Sequence, residues 1–425
     1  MVSVIPLRGP LLAAAMAALP GAAFAGDLPG QGRTAGKVRQ CTSTGAGFYL
    51  VPGTDTCLRL GGYVWAEGYY NSYTDYPPAD DQTYSIATYG LVMDARDTTE
   101  YGTLRSYTEL RLQYRGAAEW GSGPPATAVD IWDAHVEFAG FTVGKTQSMF
   151  DFYANQNVLG TDPATIGDQQ QIMLGAYRWD LSHGWTATVS LEDSSQRAAG
   201  VGMAYPHSGT SLVQQSDVPD LVAAIGPTGD WGQFQLSGAL HQIRVGATAV
   251  DGTPVAGGVS DEWGYAVQAG IMFNLPALGS GDTLYLQTAF SDGATSYLGL
   301  IDPSGSFAPP DAYLGADGSL SRVTGWNLTA QLLHNWNDEW QGTLFGGYAR
   351  VDMNDATAAL GYGAASGINY NVGGNIVWSP LPAFSLILQY DYNVTEAQGR
   401  MNRGAALPGA TQQAQQLLLM AQRLF

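Results

Sequence analysis

Between residues 103 and 115 the chain sets Arg105, Glu109, Arg111 and Arg115 in steps of two or four, with Thr103, Tyr107 and Gln113 on the same side. Leu104, Ser106, Thr108, Leu110, Leu112 and Tyr114 occupy the other side. Residues two apart share one face of a β-strand, so this segment has an apolar face and a charged one. Three guanidinium groups and a carboxylate fixed on one face suit the wall of a hydrated interior. A soluble sandwich alternates in the same way, with its polar face in bulk water. Bond-making chemistry has little support. His135 falls on the polar side of its strand and His183 in an expected turn. No Gly-x-Ser-x-Gly elbow or HExxH zinc motif accompanies them, so no nucleophile with a positioned base is visible and no enzyme is expected. No metal or cofactor is expected either.

Such a wall needs neighbouring strands of the same kind, and from Leu58 onward segments of about ten residues with period-two character recur. Trp326, Leu328, Ala330 and Leu332 oppose Asn327, Thr329 and Gln331. Phe384, Leu386, Leu388, Tyr390 and Tyr392 oppose Ser385, Ile387, Gln389, Asp391 and Asn393. Tight turns are expected at 97–100, 182–184, 227–230, 276–282, 337–339 and 379–382. They alternate with long polar stretches near 71–84, 116–128, 149–170, 193–220, 246–262, 293–322, 352–368 and 397–410. About sixteen strands lie between these breaks. In the last, 412–425, Phe425, Arg423, Ala421, Leu419 and Leu417 share a face, although Leu418, Met420 and Leu424 blur the alternation. The expected fold is all-β: a transmembrane antiparallel barrel whose last strand closes on its first, because an open edge in lipid leaves backbone groups unsatisfied.

Composition agrees. Charged residues are 13% of the chain, about half the roughly 25% usual in soluble domains, while Gly (55) and Tyr (23) are plentiful. One face in lipid explains this, since Lys and Arg are costly there and Tyr suits the interface. Residues 1–25 read as a secretory signal: Arg8, an apolar run from Leu11 to Leu19, and Ala23-Phe24-Ala25 before the expected cleavage. Beyond it no apolar run of about eighteen residues suggests a membrane helix. Removing Arg8 with the signal leaves 17 basic against 37 acidic residues, which argues against a nucleic-acid partner. Cys41 and Cys57 are an even, closely spaced pair in an exported chain, and a disulfide is expected. Three parts follow: the signal (1–25), a Gly/Thr/Ser-rich periplasmic segment pinned by the disulfide (26–57), and the barrel (58–425).

The chain resembles the general diffusion porins of alphaproteobacteria, of the Rhizobiales type. The resemblance rests on Gly45-Ala46-Gly47-Phe48-Tyr49, the run from Pro52 through Cys57 to Val64, and Asp94-Ala95-Arg96. It continues in the run from Thr99 to Tyr107, in Phe141-Thr142-Val143-Gly144-Lys145-Thr146-Gln147-Ser148, and in Asp151-Phe152. It is strong over about 41–185 and diffuse beyond. It implies a sixteen-stranded outer-membrane barrel, a homotrimer, lipid and lipopolysaccharide around it, and passive passage of small hydrophilic solutes and ions. A solute-specific sugar-type channel is the alternative, and a barrel enzyme or adhesin a more distant one.

In such porins the third long loop folds into the lumen and forms a constriction. Here that loop is 149–170, carrying Asp151, Asp162 and Asp168, and without the resemblance three solvated loop acids would be the simpler account. The resemblance sets basic side chains opposite: Arg105, Arg111 and Arg115, with Arg59 and Arg96 on neighbouring strands. Their plainer role is interior charge bonded to Glu109 and water. Lys145 resembles a basic position beside the loop. Alternation from Phe141 and Val143 nevertheless points it toward lipid unless a bulge at Gly144 turns it inward. Small residues at Gly61, Gly62, Ala66 and Gly68 would let neighbouring barrels pack closely.

Overall fold

The computed structural model describes residues 39–41, 44–74, 82–116, 125–161, 165–203, 211–249, 260–300, 309–314, 319–353, 366–398 and 410–425. The expected signal and Asp162 lie outside the described residues. Sixteen antiparallel strands form the wall: β1 (Cys57–Thr74), β2 (Gln82–Thr99), β3 (Gly102–Arg115), β4 (Ala126–Phe138), β5 (Phe141–Gln147), β6 (Gln171–Asp180), β7 (Trp185–Glu192) and β8 (Asp220–Gly229). They continue as β9 (Gly232–Ala249), β10 (Ser260–Asn274), β11 (Thr283–Asp292), β12 (Thr324–Asn335), β13 (Trp340–Asp352), β14 (Ser366–Leu381), β15 (Phe384–Gln398) and β16 (Ala410–Leu424). Each pairs with its chain neighbours. β16 returns to β1 in continuous register, with Leu424 opposite Tyr63 and Gln413 opposite Thr74. The barrel is closed, as the cost of an open edge in lipid requires.

Side chains alternate around this cylinder. Leu236, Leu240, Leu328, Leu344, Val372 and Leu419 are exposed on the outer face, while Ser237, Gln268, Gln287, Asn327, Asn371 and Gln389 are buried on the inner one. Two aromatic belts flank the outer apolar band. Trp179, Trp185, Trp231, Trp336 and Trp340 mark the short-turn end, and Tyr114, Trp263, Tyr265 and Trp326 the other. This is the distribution expected where rings sit at both membrane interfaces.

The alternation of tight and long connections follows the sequence, with shifts of up to about four residues. One tight turn had no sequence expectation: Ala139-Gly140 joins β4 to β5, with Ala139 at φ 51° and Gly140 at φ 88°. Cys41 and Cys57 are joined by a disulfide. Around it, Tyr49–Leu50 pairs with the start of β1, and Phe48 is buried beneath Arg59 and Arg96, whose guanidinium carbons lie 5.2 and 4.7 Å from its ring centre. The strands therefore begin at Cys57, and the preceding segment packs against the inner wall at the short-turn end.

Candidate functional site

Between β5 and β6 the chain leaves the wall. β5 pairs with β4 only from Phe138 back to Ala134, so the upper edge of β4 is left open where the loop turns inward. Lys145 sits at that departure. Its register partners are Ala134 and Met173, both on the outward column, and the pairing runs unbroken through Gly144 on both sides. No bulge turns Lys145 into the lumen. Its ammonium instead caps the Ile131 carbonyl at 2.6 Å and lies 3.4 Å from Asp130, satisfying the open edge. The irregularity is on the neighbouring strand, where the β3–β4 register shifts between Glu109 and Leu110.

Once inside, the loop runs along the wall from β7 round to β1, and side chains hold its backbone strand by strand. Glu192 on β7 accepts from the Ser148 hydroxyl (2.6 Å) and the Met149 N–H (2.9 Å). Ser237 on β9 donates to the Phe150 carbonyl at 2.7 Å. The Phe152 N–H donates to Gln268 on β10 (2.7 Å), and the Ala154 N–H to Gln287 on β11 (2.9 Å). Next, the Asn157 N–H donates to Gln331 on β12 (3.1 Å), and the Leu159 N–H to Gln389 on β15 (2.9 Å). Finally the Thr161 N–H donates to Glu67 on β1 at 2.7 Å. On the return the Ile166 carbonyl accepts from Thr329 at 2.9 Å. Phe150 and Ile166 are fully buried against the wall. Nothing in the local sequence marks Gln268, Gln287, Gln331 or Gln389 as different from ordinary interior amides. Their recurrence at inward positions of separate strands is the one signal available.

The two described loop acids, Asp151 and Asp168, separate. Asp151 is buried and forms an ion pair with Arg197, whose Nη2 lies 2.8 Å from both carboxylate oxygens. Its second oxygen also accepts the Gln170 N–H at 2.8 Å, so it ties the two ends of the loop together. Burial opposes the charge on Arg197 and the Asp151 carboxylate favours it, with the guanidinium pKa raised. Arg197 also stacks on Tyr297, 4.5 Å from its ring centre, and Tyr297 donates to the buried Asp220 at 2.7 Å. The connections after β5, β7 and β11 are thus locked to one another. Asp168 differs: its side chain is exposed, and its carboxylate accepts the Gln169 N–H at 2.8 Å. Crowding by the surrounding protein raises its carboxyl to about 7, the Gln169 N–H opposes this, and the Asp151 charge adds to it. Water reaching the exposed carboxylate pulls it back toward the ordinary value of about 3.9.

Across the lumen the wall of β1 to β4 carries the charge. Arg111 lies 3.6 Å from the Trp132 ring centre and 5.5 Å from that of Trp65, and its Nε donates to Glu109 at 2.9 Å. Glu109 also accepts from the Tyr63 hydroxyl at 2.6 Å. Arg105 lies further toward the short turns, bonded to Asp94 (3.1 Å) and Glu137 (2.9 Å), and Arg59 and Arg96 converge on the same buried Asp94. Arg115, at the opposite end of β3, bonds Gln113 at 3.2 Å. One loop residue links the two sides. Burial raises the Tyr153 hydroxyl pKa most, Asp168 raises it further, and Arg111 lowers it, so both charges act on this ring. Of the sequence candidates, Asp168 and Arg111 are the two whose charges both reach Tyr153. The structure puts Asp151 in an internal lock, and Arg105 with Arg59 and Arg96 at the mouth.

A closed sixteen-stranded barrel with an apolar outside, a polar inside and an inward loop is an outer-membrane channel. A sequence profile described as Porin subfamily matches residues 34–417, and the chain belongs to this porin family. Porin Omp2a of Brucella ovis is 27% identical over 277 residues, covering 61% of this chain and 70% of that one. Porin Omp2b of Brucella suis is 26% identical over 276 residues, covering 61% and 66%. The chain thus spans about two thirds of these relatives' length. Among solved structures, the outer membrane channel DcaP of Acinetobacter baumannii superposes with a TM-score of 0.63 at 16% identity, over 88% of this chain and 99% of that one. OmpF of Salmonella typhi gives 0.51 at 9%, over 87% and 98%. Both share the fold.

Proposed function

We propose that this porin passes small hydrophilic solutes and ions passively through a slot between the inward loop and the β1–β4 wall. Asp168 and Arg111 set a transverse field across that slot. The observation that carries this reading is the row of side chains from Glu192 to Glu67, which pins the loop backbone across the barrel. A loop so held cannot swing clear of the lumen without stranding buried donors, each worth roughly 1–3 kcal/mol. Arginines and carboxylates are matched along the opposite wall, so the exposed loop acid tips the balance toward cations. Ordinary salt gradients across a planar bilayer test this. Asp168→Asn should move the reversal potential toward zero and leave the open-channel conductance nearly unchanged; an unmoved reversal potential would remove Asp168 from the constriction.

The quaternary part of the reading is a homotrimer, with Ala66 and Gly68 on the outward column of β1 available for close packing. Gly62 serves the chain itself: a Cβ there would lie 2.8 Å from the Phe425 ring. Trp65 and Trp132 on either side of Arg111 support a second reading, a preference for solutes with a flat apolar face such as sugars. Saturable block of the current by one sugar would establish it, and linear conductance at all sugar concentrations would dismiss it.

A further inference from the structure

The outer wall carries a feature that diffusion through the lumen does not use. Between β12 and β16, near the short-turn end, a groove of about 590 Å³ opens on the lipid-facing side. Its floor is Gly342 and Gly374, and its walls include Leu344, Ile376, Leu388 and Leu417. Leu344 is 68% exposed, so the groove stands open beside a tall ridge rather than under a covering side chain. At the two glycines the neighbouring side chains sit close over the backbone. A Cβ on Gly342 would meet the Trp336 ring at 2.5 Å, and one on Gly374 would meet Leu344 at 3.1 Å. A second cavity of about 580 Å³ adjoins it at the turns and shares His334 and Trp336 with the first. This one is polar, lined by Asn337, Asp338, Glu339 and Ser280 among others, and holds no Lys or Arg. Both volumes fall within the roughly 300–1,000 Å³ of ligand clefts.

An apolar channel at membrane depth, continuous with a polar, acidic cavity at the interface, matches an amphiphile with one chain and one cationic end. We propose that the paired cavities hold a zwitterionic phospholipid bearing a primary ammonium headgroup. One acyl chain lies in the Gly342–Gly374 groove and the ammonium against Asp338 and Glu339. Charge decides the headgroup, because an anionic lipid without an ammonium would face two carboxylates with no Lys or Arg in the lining. Trp336 and Trp340, both exposed at this end, add ring faces that favour an ammonium. His334 sits where the two cavities meet. Its Nδ1 is 2.5 Å from the Asp282 carboxylate, which fixes the ring at the junction.

Native mass spectrometry of the detergent-purified protein, titrated with phosphatidylethanolamine or phosphatidylglycerol of matched chains, tests this directly. Phosphatidylethanolamine should be retained at least about threefold more than phosphatidylglycerol. Gly374→Leu fills the groove and should abolish retention of both. Asp338→Asn with Glu339→Gln leaves the groove intact and should remove only the headgroup preference. Single-channel conductance, unchanged in both variants, reports that each has folded. Equal retention of the two lipids by the native protein would overturn the proposal. So would retention unaffected by both variants, as in a bulk lipid annulus, or a cysteine placed at Leu344 that crosslinks a second copy of the chain.

Discussion

From β10 round to β15 the lumen wall that meets the loop is built of amides: Gln268, Gln287, Gln331, Asn375 and Gln389. Across the pore the wall of β2 to β4 is built of charges: Asp94, Arg105, Glu109, Arg111, Asp133 and Glu137. Both are polar and both face inward. They differ in what lies against them. The first is covered by an irregular stretch of backbone, whose N–H and C=O groups need partners out of reach of water. An amide offers one donor and one acceptor group at no Born cost; Gln389 uses both, accepting from the Leu159 N–H and donating to its carbonyl at 3.0 Å. A lone charge in that position would need a buried counter-ion. The loop's own buried Asp151 has one in Arg197, while the carboxylates at the two ends of the row, Glu192 and Glu67, each take two loop donors instead. The second wall meets water, so charges cost little there and can act on what passes.

The comparison breaks most visibly if the amides are made apolar. Replacing Gln268, Gln287 and Gln389 together by Leu strands three loop N–H groups at roughly 1–3 kcal/mol each. The barrel should still form, because its ladder is untouched, but the loop should leave the wall. Planar-bilayer records should then show larger and noisier openings. A quiet, native-sized channel in the triple variant would mean that the amides are passive lining. Next in size is Arg197→Met, which leaves Asp151 buried without its partner at a cost of roughly 3–5 kcal/mol. Thermolysin should cut the loop in that variant, at bonds such as those before Phe152 or Leu159, and spare it in the native protein. Changing Asp151→Leu in the same molecule should restore much of the resistance, since a neutral pair strands no charge.

On the charged side the effects are smaller and electrical. A carboxyl whose pKa is raised loses its charge at a higher pH than usual, so Asp168 becomes neutral at a pH above that of a free carboxylate. Cation preference should therefore be full near pH 8 and decline as the pH falls through 7 toward 4. In Asp168→Asn it should stay flat over that range. A native profile equally flat between pH 8 and 4 would show that another group sets the selectivity.

The features legible in sequence are those with a period. Apolar faces at Leu104 to Tyr114 or Phe384 to Tyr392 give away strand, facing and the count of sixteen, because lipid on one side and water on the other impose alternation at every step. The turn at Ala139-Gly140 escaped because Phe138 and Phe141 flank it without Pro, Asn or Asp to mark a break. Site roles were less readable. Asp151 and Arg197 are 46 positions apart, and Glu67 and Thr161 are 94, so their meeting depends on how far the loop travels round the barrel. Three acids in one loop look alike in sequence. In the fold one is locked away, one faces the lumen, and the surroundings rather than the residue type decide which.

The smallest effect is expected at the mouth, and it separates position from charge. Arg59 is a cation on the same inner wall as Arg111, yet it points at the buried Asp94 from 3.4 Å with 45% of its side chain exposed. Asp94 keeps Arg96 at 2.8 Å and Arg105 at 3.1 Å if Arg59 is removed. An exposed bridge of this kind contributes roughly 0–1 kcal/mol, and its charge lies away from the slot. Arg59→Gln should leave stability within error and shift the reversal potential far less than Arg111→Gln does in the same salt gradient. If total interior charge governed selectivity, the two substitutions would move it equally. Equal shifts would therefore replace a field local to Asp168 and Arg111 with one averaged along the whole pore.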